Sequence, residues 1–208
     1  METQKYTEEQ NKRKQTTSNV PDENPKRDVA VSGAKIGIPA DDPNRTLSLI
    51  DPDDPSLSHI AVVGDTYTIL LSGKETAGRY CLIDMQIPIC GGPGAHRHDF
   101  EEMFHVLEGT IEFTFRGEKR VAHAGQTINI PANAPHFFTN NSGNKSRLLC
   151  MCTPAGQEDF FLAIGERVEG RTTVAPEQSP EQQAEFIKKA EALAPQFRTE
   201  ILKPSKSA

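Results

Sequence analysis

From Ile60 to about Gly165 the chain reads as short runs in which apolar and polar residues alternate. "TYTILL", "YCLIDMQIPI", "MFHVLEG", "TIEFTFR", "QTINIP", "HFFTNN" and "RLLCMCT" are rich in β-branched and aromatic residues, and Gly, Asn and Pro clusters separate them. Ile111, Phe113 and Phe115 alternate with Glu112, Thr114 and Arg116, the period of a half-buried strand. "FRGEKR" places a tight turn at Gly117 between two strands of a hairpin. "RTLSLI", bounded by the proline turns "ADDPNR" and "DPDDPS", is a further short strand. Closely spaced strands without intervening helices predict an all-β sandwich or barrel.

The period changes near the end. In "SPEQQAEFIKKAEALA", Ser179 is placed as an N-cap, Pro180 suits the first helical position, and Gln182 completes a capping box. Phe186, Ala190, Leu193 and Ala194, with Ile187 beside them, form an apolar stripe at helical spacing. A helix this short needs tertiary contacts, so it is expected to pack outside the β domain. The first 35 residues are polar, with Tyr6 as their one aromatic, and cannot offset the entropy of ordering. The expected organisation is a flexible leader at 1–35, a β-barrel at 36–170, and an extension at 171–208 with a helix at about 180–193.

Composition narrows the class. The 208 residues suffice for a full hydrophobic core, and the net charge of −6 comes with scattered Lys and Arg. No basic stripe invites nucleic acid. No apolar run approaches the roughly 20 residues that cross a bilayer. The N-terminus lacks the apolar stretch of a secretory signal, so the expectation is a cytoplasmic protein. Cys81, Cys90, Cys150 and Cys152 lie in or beside apolar segments, which favours reduced, buried thiols over a disulfide framework.

The chemistry concentrates in "GAHRHDFEEMFHVLEG". His96 and His98 are two residues apart and project side by side if that segment is extended. Glu102 opens the next strand and shares its face with Phe104 and Val106. Inside a core an unpaired carboxylate is costly, and a bound cation resolves the cost. "GQTINIPANAPHFFTN" starts a later strand at His136, which shares a face with Phe138 and Asn140. Two neighbouring antiparallel strands can thus bring three imidazoles and one carboxylate to a point. That set suits a divalent transition ion (iron, manganese, cobalt, nickel, copper or zinc), and its spacing cannot choose among them.

Residues 90 to 109 resemble the first cupin motif through His96, His98, Glu102 and Gly109, with Cys90 where the family has its leading glycine. Residues 125 to 140 resemble the second through Gly125, Pro131, His136 and Asn140, with Asn133 in place of another glycine. The resemblance extends loosely over about residues 45 to 165. It implies a double-stranded β-helix, the cupin or jelly-roll barrel, with a metal held by His96, His98, Glu102 and His136. It also implies homodimers.

The wording around these motifs is similar to that of single-barrel cupins of the quercetin 2,3-dioxygenase kind. The resemblance implies a metal-dependent dioxygenase acting on an enolisable aromatic or flavonol-like molecule and dioxygen. In such enzymes the glutamate ligand takes the proton of the enolised hydroxyl, oxygen adds, and the heterocycle opens with release of carbon monoxide. Glu102 would be both ligand and base. Met85, Ile87, Phe104, Val106, Phe138 and Met151 are the candidate substrate pocket.

Two other readings stand beside this one. One is a non-enzymatic small-molecule binder, and the other a metal-assisted isomerase or lyase, which would need polar groups pointing inward. His105 falls on the face opposite Glu102, and neither His123 nor His59, placed in a polar loop, is assigned a role. Asn140 is read as structural.

Overall fold

Alternation builds the molecule. In the computed structural model, residues 37–203 are described, so the leader at 1–35 lies outside the described residues. The described residues from 43 to 203 belong to one compact unit, and those before it, 37–42, carry no helix or strand. Among the described residues there are twelve strands. They are β1 (Ser58–Val62), β2 (Asp65–Leu71), β3 (Cys81–Ile87), β4 (His96–His98), β5 (Glu101–Glu108) and β6 (Thr110–Phe115). β7 (Glu118–His123), β8 (Thr127–Ile130), β9 (His136–Thr139), β10 (Ser146–Thr153), β11 (Glu166–Arg167) and β12 (Thr199–Ile201) follow.

They form two antiparallel sheets, consistent with a jelly roll. One has the order β11-β1-β2-β3-β10-β5-β8, the other β12-β4-β9-β6-β7. The inward positions of both sheets meet in one core, which includes Ile83, Met85, Phe104, Phe113, Phe138 and Leu148. The rings of Phe104, Phe113 and Phe138 lie 5.3–5.4 Å apart, centroid to centroid, in tilted and edge-on pairs.

Turn chemistry sets the registers. Phe115 faces Glu118 across the β6–β7 hairpin, leaving Arg116 (φ 51°) and Gly117 (φ 86°) as a two-residue turn with both residues left-handed. Gly109 turns between β5 and β6 at φ 79°, and a Cβ there would sit 2.8 Å from the Lys145 carbonyl oxygen. Cys90 and Asn133, which stand where the cupin motifs have glycine, are themselves left-handed at φ 64° and 68°.

Among the described residues three α-helices join the strands: α1 (Gly73–Thr76), α2 (Gln157–Ile164) and α3 (Pro180–Leu193). Ser179 caps α3 with Gln182 in the reciprocal box, and Pro180 opens the helix. The helix packs outside the sheets, against α2 and the 3₁₀ turn Ala194–Phe197 that follows it. Three expectations need correction. "RTLSLI" forms no strand: residues 45–49 are exposed and unpaired in any ladder, because two proline-bounded turns hold the segment off the sheet edge. The β run is not free of helices, since α1 and α2 interrupt it. His59 is not in a loop but buried on β1, where Nδ1 meets Thr68 Oγ1 at 2.8 Å and Nε2 meets the Asp54 carbonyl at 3.0 Å.

Candidate metal centre and apolar cavity

Three strands deliver four side chains. β4 carries His96 and His98 on one face, and its pairing with β9 sets His96 directly opposite His136. β5 brings Glu102 from the other sheet, on the inward face shared with Phe104 and Val106. The ligating atoms of His96, His98, Glu102 and His136 all lie within 4.8 Å of one another. His98, Glu102 and His136 are 2–3% exposed, and His96 is half-buried. The strand register therefore assembles the whole cluster that the two sequence motifs name.

Backbone carbonyls fix the imidazoles. Nδ1 of His96 bonds the Gly94 carbonyl at 2.8 Å, that of His98 the Phe100 carbonyl at 2.9 Å, and that of His136 the Ala134 carbonyl at 2.8 Å. A carbonyl oxygen only accepts, so each Nδ1 carries its proton. The neutral rings then turn bare Nε2 lone pairs toward the centre. His98 also stacks on Phe100, with centroids 3.9 Å apart and planes 4° off parallel.

Charge decides what such a cluster accepts. Nε2 of His98 and of His136 each lie 3.1 Å from Glu102 Oε2. Lone pair against lone pair at that distance is repulsive unless a positive charge lies between them. Protons or a cation can supply it. Burial alone would raise the Glu102 carboxyl. Where protons supply the charge, the Nε2–H groups of His136 and His98 donate to Glu102, and these hydrogen bonds outweigh burial and hold its carboxyl well below the usual carboxylate range. At His136, burial lowers the pKa while the Glu102 partner raises it, with a net rise. Burial, followed by the nearby charge of His136, pulls His96 down to about 4. A divalent cation that replaces those protons would meet three imidazole Nε2 lone pairs and a carboxylate at a buried centre, a donor set that fits it.

A cavity of about 330 Å³ opens beside the cluster. His96 and Glu102 reach its wall, and His98 and His136 lie behind it. Met85, Phe104 and Phe138 line the sheet side, as their inward phase implies. Ile87, Val106 and Met151 do not line it. Ile87 and Val106 are core residues, 0–1% exposed, farther along the same inward faces, where other side chains cover them. Met151 is half-buried on the opposite face of β10, because Leu148, Cys150 and Cys152 take the inward phase.

The opposite wall comes from later elements: Phe160 and Phe161 of α2, Phe186 and Ile187 of α3, and Ile201 of β12. The "QEDFF" start of α2 held a readable signal, acidic residues in a first turn ahead of an apolar face. Tyr67 also lines the cavity, and its hydroxyl donates to the buried Asp65 at 3.0 Å. Burial raises Asp65 to about 7. Asn140 is structural: its amide donates to the Ile87 and Asn144 carbonyls at 3.1 and 2.7 Å. His105 bonds Thr127 away from the site, and His123 contacts Thr110.

Comparison with known proteins follows this geometry. The profile of the cupin domain matches residues 84–152. Quercetin 2,3-dioxygenase of Bacillus subtilis (strain 168) is 27% identical over 146 residues, 68% of this chain and 42% of that protein. The HTH-type transcriptional regulator PuuR of Escherichia coli (strain K12) is 38% identical over 58 residues, 28% of this chain and 31% of the regulator. The matched stretch thus spans less than half of either relative. Among solved structures, the polyketide cyclase RemF from Streptomyces resistomycificus superposes with a TM-score of 0.47 at 21% identity, covering 69% of this chain and 94% of that one. No helix among the described residues is long and apolar enough to cross a membrane.

Proposed function

Residues 84–152 place the chain in the cupin superfamily, and from that premise we propose that it is a metal-dependent dioxygenase acting on an enolisable aromatic or flavonol-like molecule. His96, His98, Glu102 and His136 would hold a divalent transition ion, and the nitrogen-rich donor set suits iron, nickel, manganese, cobalt, copper or zinc. Such an ion supplies Lewis acidity and coordination positions beyond the four protein ligands.

The chain's own groups bind, orient and accept the proton. Glu102 stands on the cavity wall as an ionised carboxylate and is the acceptor for an acidic enol or phenol hydroxyl entering the cavity. Phe104 and Phe138 flank it and pack against the ring system of the substrate, while Met85 and Phe160 help exclude water. One observation carries the reading: an aromatic-walled cavity that opens onto a carboxylate and an imidazole of a four-ligand cluster. The name of the Bacillus subtilis relative supports the substrate class.

The test is anaerobic loading with each metal, then oxygen uptake with quercetin and other enolisable phenols or diketones. Uptake that depends on both metal and substrate is expected. No uptake with any metal removes the oxygenase reading for those substrates. The stretch shared with a transcriptional regulator favours a second reading, a ligand-binding module. Retention of the same phenols without turnover would decide for it.

A further inference from the structure

Glu102 has two differently furnished sides. Its Oε2 faces His98 and His136. Its Oε1 points into β10, where the Cys150 thiol lies at 3.4 Å and the Cys152 thiol at 3.7 Å. The two sulfurs are 3.7 Å apart, and both cysteines are 0% exposed. Register puts them there: Cys152 stands directly opposite Glu102 and Cys150 opposite Phe104, two residues apart on one face.

Among the described residues no other group hydrogen-bonds Oε1. A buried, ionised oxygen without donors is expensive, and a neutral thiol is a weak S–H donor. Neither sulfur lines the cavity, so neither meets a substrate.

We propose that Cys150 and Cys152 are positioning residues for Glu102: their S–H groups hold Oε1 and fix the carboxylate, so that Oε2 alone is presented to the ion. The second half of this statement rests on the metal-site reading, and the first half does not. The arrangement is an outer-sphere tether of the sort that orients metal ligands, made here with thiols in a dry strand interface rather than amides or water.

Infrared spectroscopy of the metal-free full chain reads the thiols directly. S–H stretching bands displaced to lower frequency are expected, and the displacement should shrink in Glu102→Ala to what the contact between the two sulfurs leaves. Wild-type bands at the position of an unbonded thiol overturn the proposal, whatever the fate of any variant. Affinity for cobalt(II) alone, by competition with a chromophoric chelator, is the second arm. Cys150→Ala and Cys152→Ala should each weaken binding about tenfold, the lower end for groups that orient metal ligands. Cys150→Ser and Cys152→Ser keep a donor and should restore most of it, even though a hydroxyl in this apolar strand interface lowers thermal stability. A packing role alone predicts serine no better than alanine, and that ranking overturns the proposal. If wild-type protein binds no divalent cation, the metal reading falls, and the infrared bands alone then decide for or against the thiol contact.

Discussion

The strands that gather the four ligands and the segment after residue 157 face each other across one cavity, yet they are held differently. On the ligand side, ladder hydrogen bonds fix every side chain, and His98, Glu102 and His136 are nearly closed from solvent. On the other side, α3 buries only Ala190, Phe186 is half-buried, and Ile187 is 53% exposed. β12 adds three residues to the edge of the second sheet, beside β4. One wall is therefore built for fixed geometry and the other for apolar contact that can vary. On the proposed function, chemistry and selectivity would sit on separate parts of the chain, and the cupin-domain match covers only the four-ligand side.

The sharpest way to break that division is to remove a ligand. His98→Ala should strip most bound divalent metal, measured by elemental analysis of protein purified without chelators, because His98 holds the carboxylate face from a site with no solvent to replace it. Phe186→Ala should leave metal content at the wild-type level. Loss of metal in the α3 variant, or its retention without His98, would dissolve the distinction. Phe186→Ala should instead raise KM for a bulky aromatic substrate about tenfold, the worth of part of one aromatic side chain's burial, with kcat little changed. Steady-state kinetics on the metal-loaded protein separates the two constants. A fall in kcat with KM unmoved would mean that α3 takes part in the chemistry.

Acid sharpens the same contrast. In metal-free protein His96 is lowered from 6.5 to about 4, so the unfolded chain takes the proton first and stability falls as pH drops from 6.5 toward 4. His136 acts with the opposite sign. Its raised value stabilises the fold fully below 6.5, and that contribution fades as pH rises through the raised value. The Tm of the chelated protein, followed from pH 4 upward, should show both limbs. His96→Asn should flatten the acid limb alone, whereas Phe186→Ala should keep both. An acid limb that survives His96→Asn would assign it to another group. The metal-loaded protein should lose its ion as acid protonates the coordinating imidazoles.

How much of this was legible depended on whether a residue type or a register carried the information. The phase of Glu102 with Phe104 and Val106 reads directly from alternation, and Ser179, Pro180 and Gln182 mark a helix start by backbone hydrogen-bond needs alone. His136 was placed by its turn, with Asn133 taking the left-handed conformation that the change from glycine had put in question. Depth was not readable. Period two says that Ile87 and Val106 point inward, but not how far along the strand the cavity reaches. β10 misled in a different way: Leu148, Leu149, Cys150, Met151 and Cys152 are all apolar, so no polar position marks the outer face, and Met151 was assigned to the wrong one. The far wall was missed because Phe160, Phe161, Phe186 and Ile201 reach the cavity only through packing between elements distant in sequence.

The smallest expected effect tests how the two walls are joined. Arg97 lies between the two histidines of β4, on the outward face, directly across from Glu200 of β12. Nε of Arg97 donates to Glu200 Oε2 at 2.6 Å, but the side chains are 48% and 56% exposed. An exposed pair is screened by water and contributes at most about 0.5 kcal/mol, so Arg97→Ala should lower Tm by no more than a degree or two. Metal content should not change, since the arginine points away from the cluster that its neighbours form. What holds β12 instead is Ile201 and Phe197 packed against the core, together with its ladder to β4. A drop of several degrees measured by thermal denaturation would assign the attachment to charge rather than apolar contact, and raised salt should then reproduce it in the wild-type protein. With apolar attachment, both the substitution and the salt leave the transition nearly where it was.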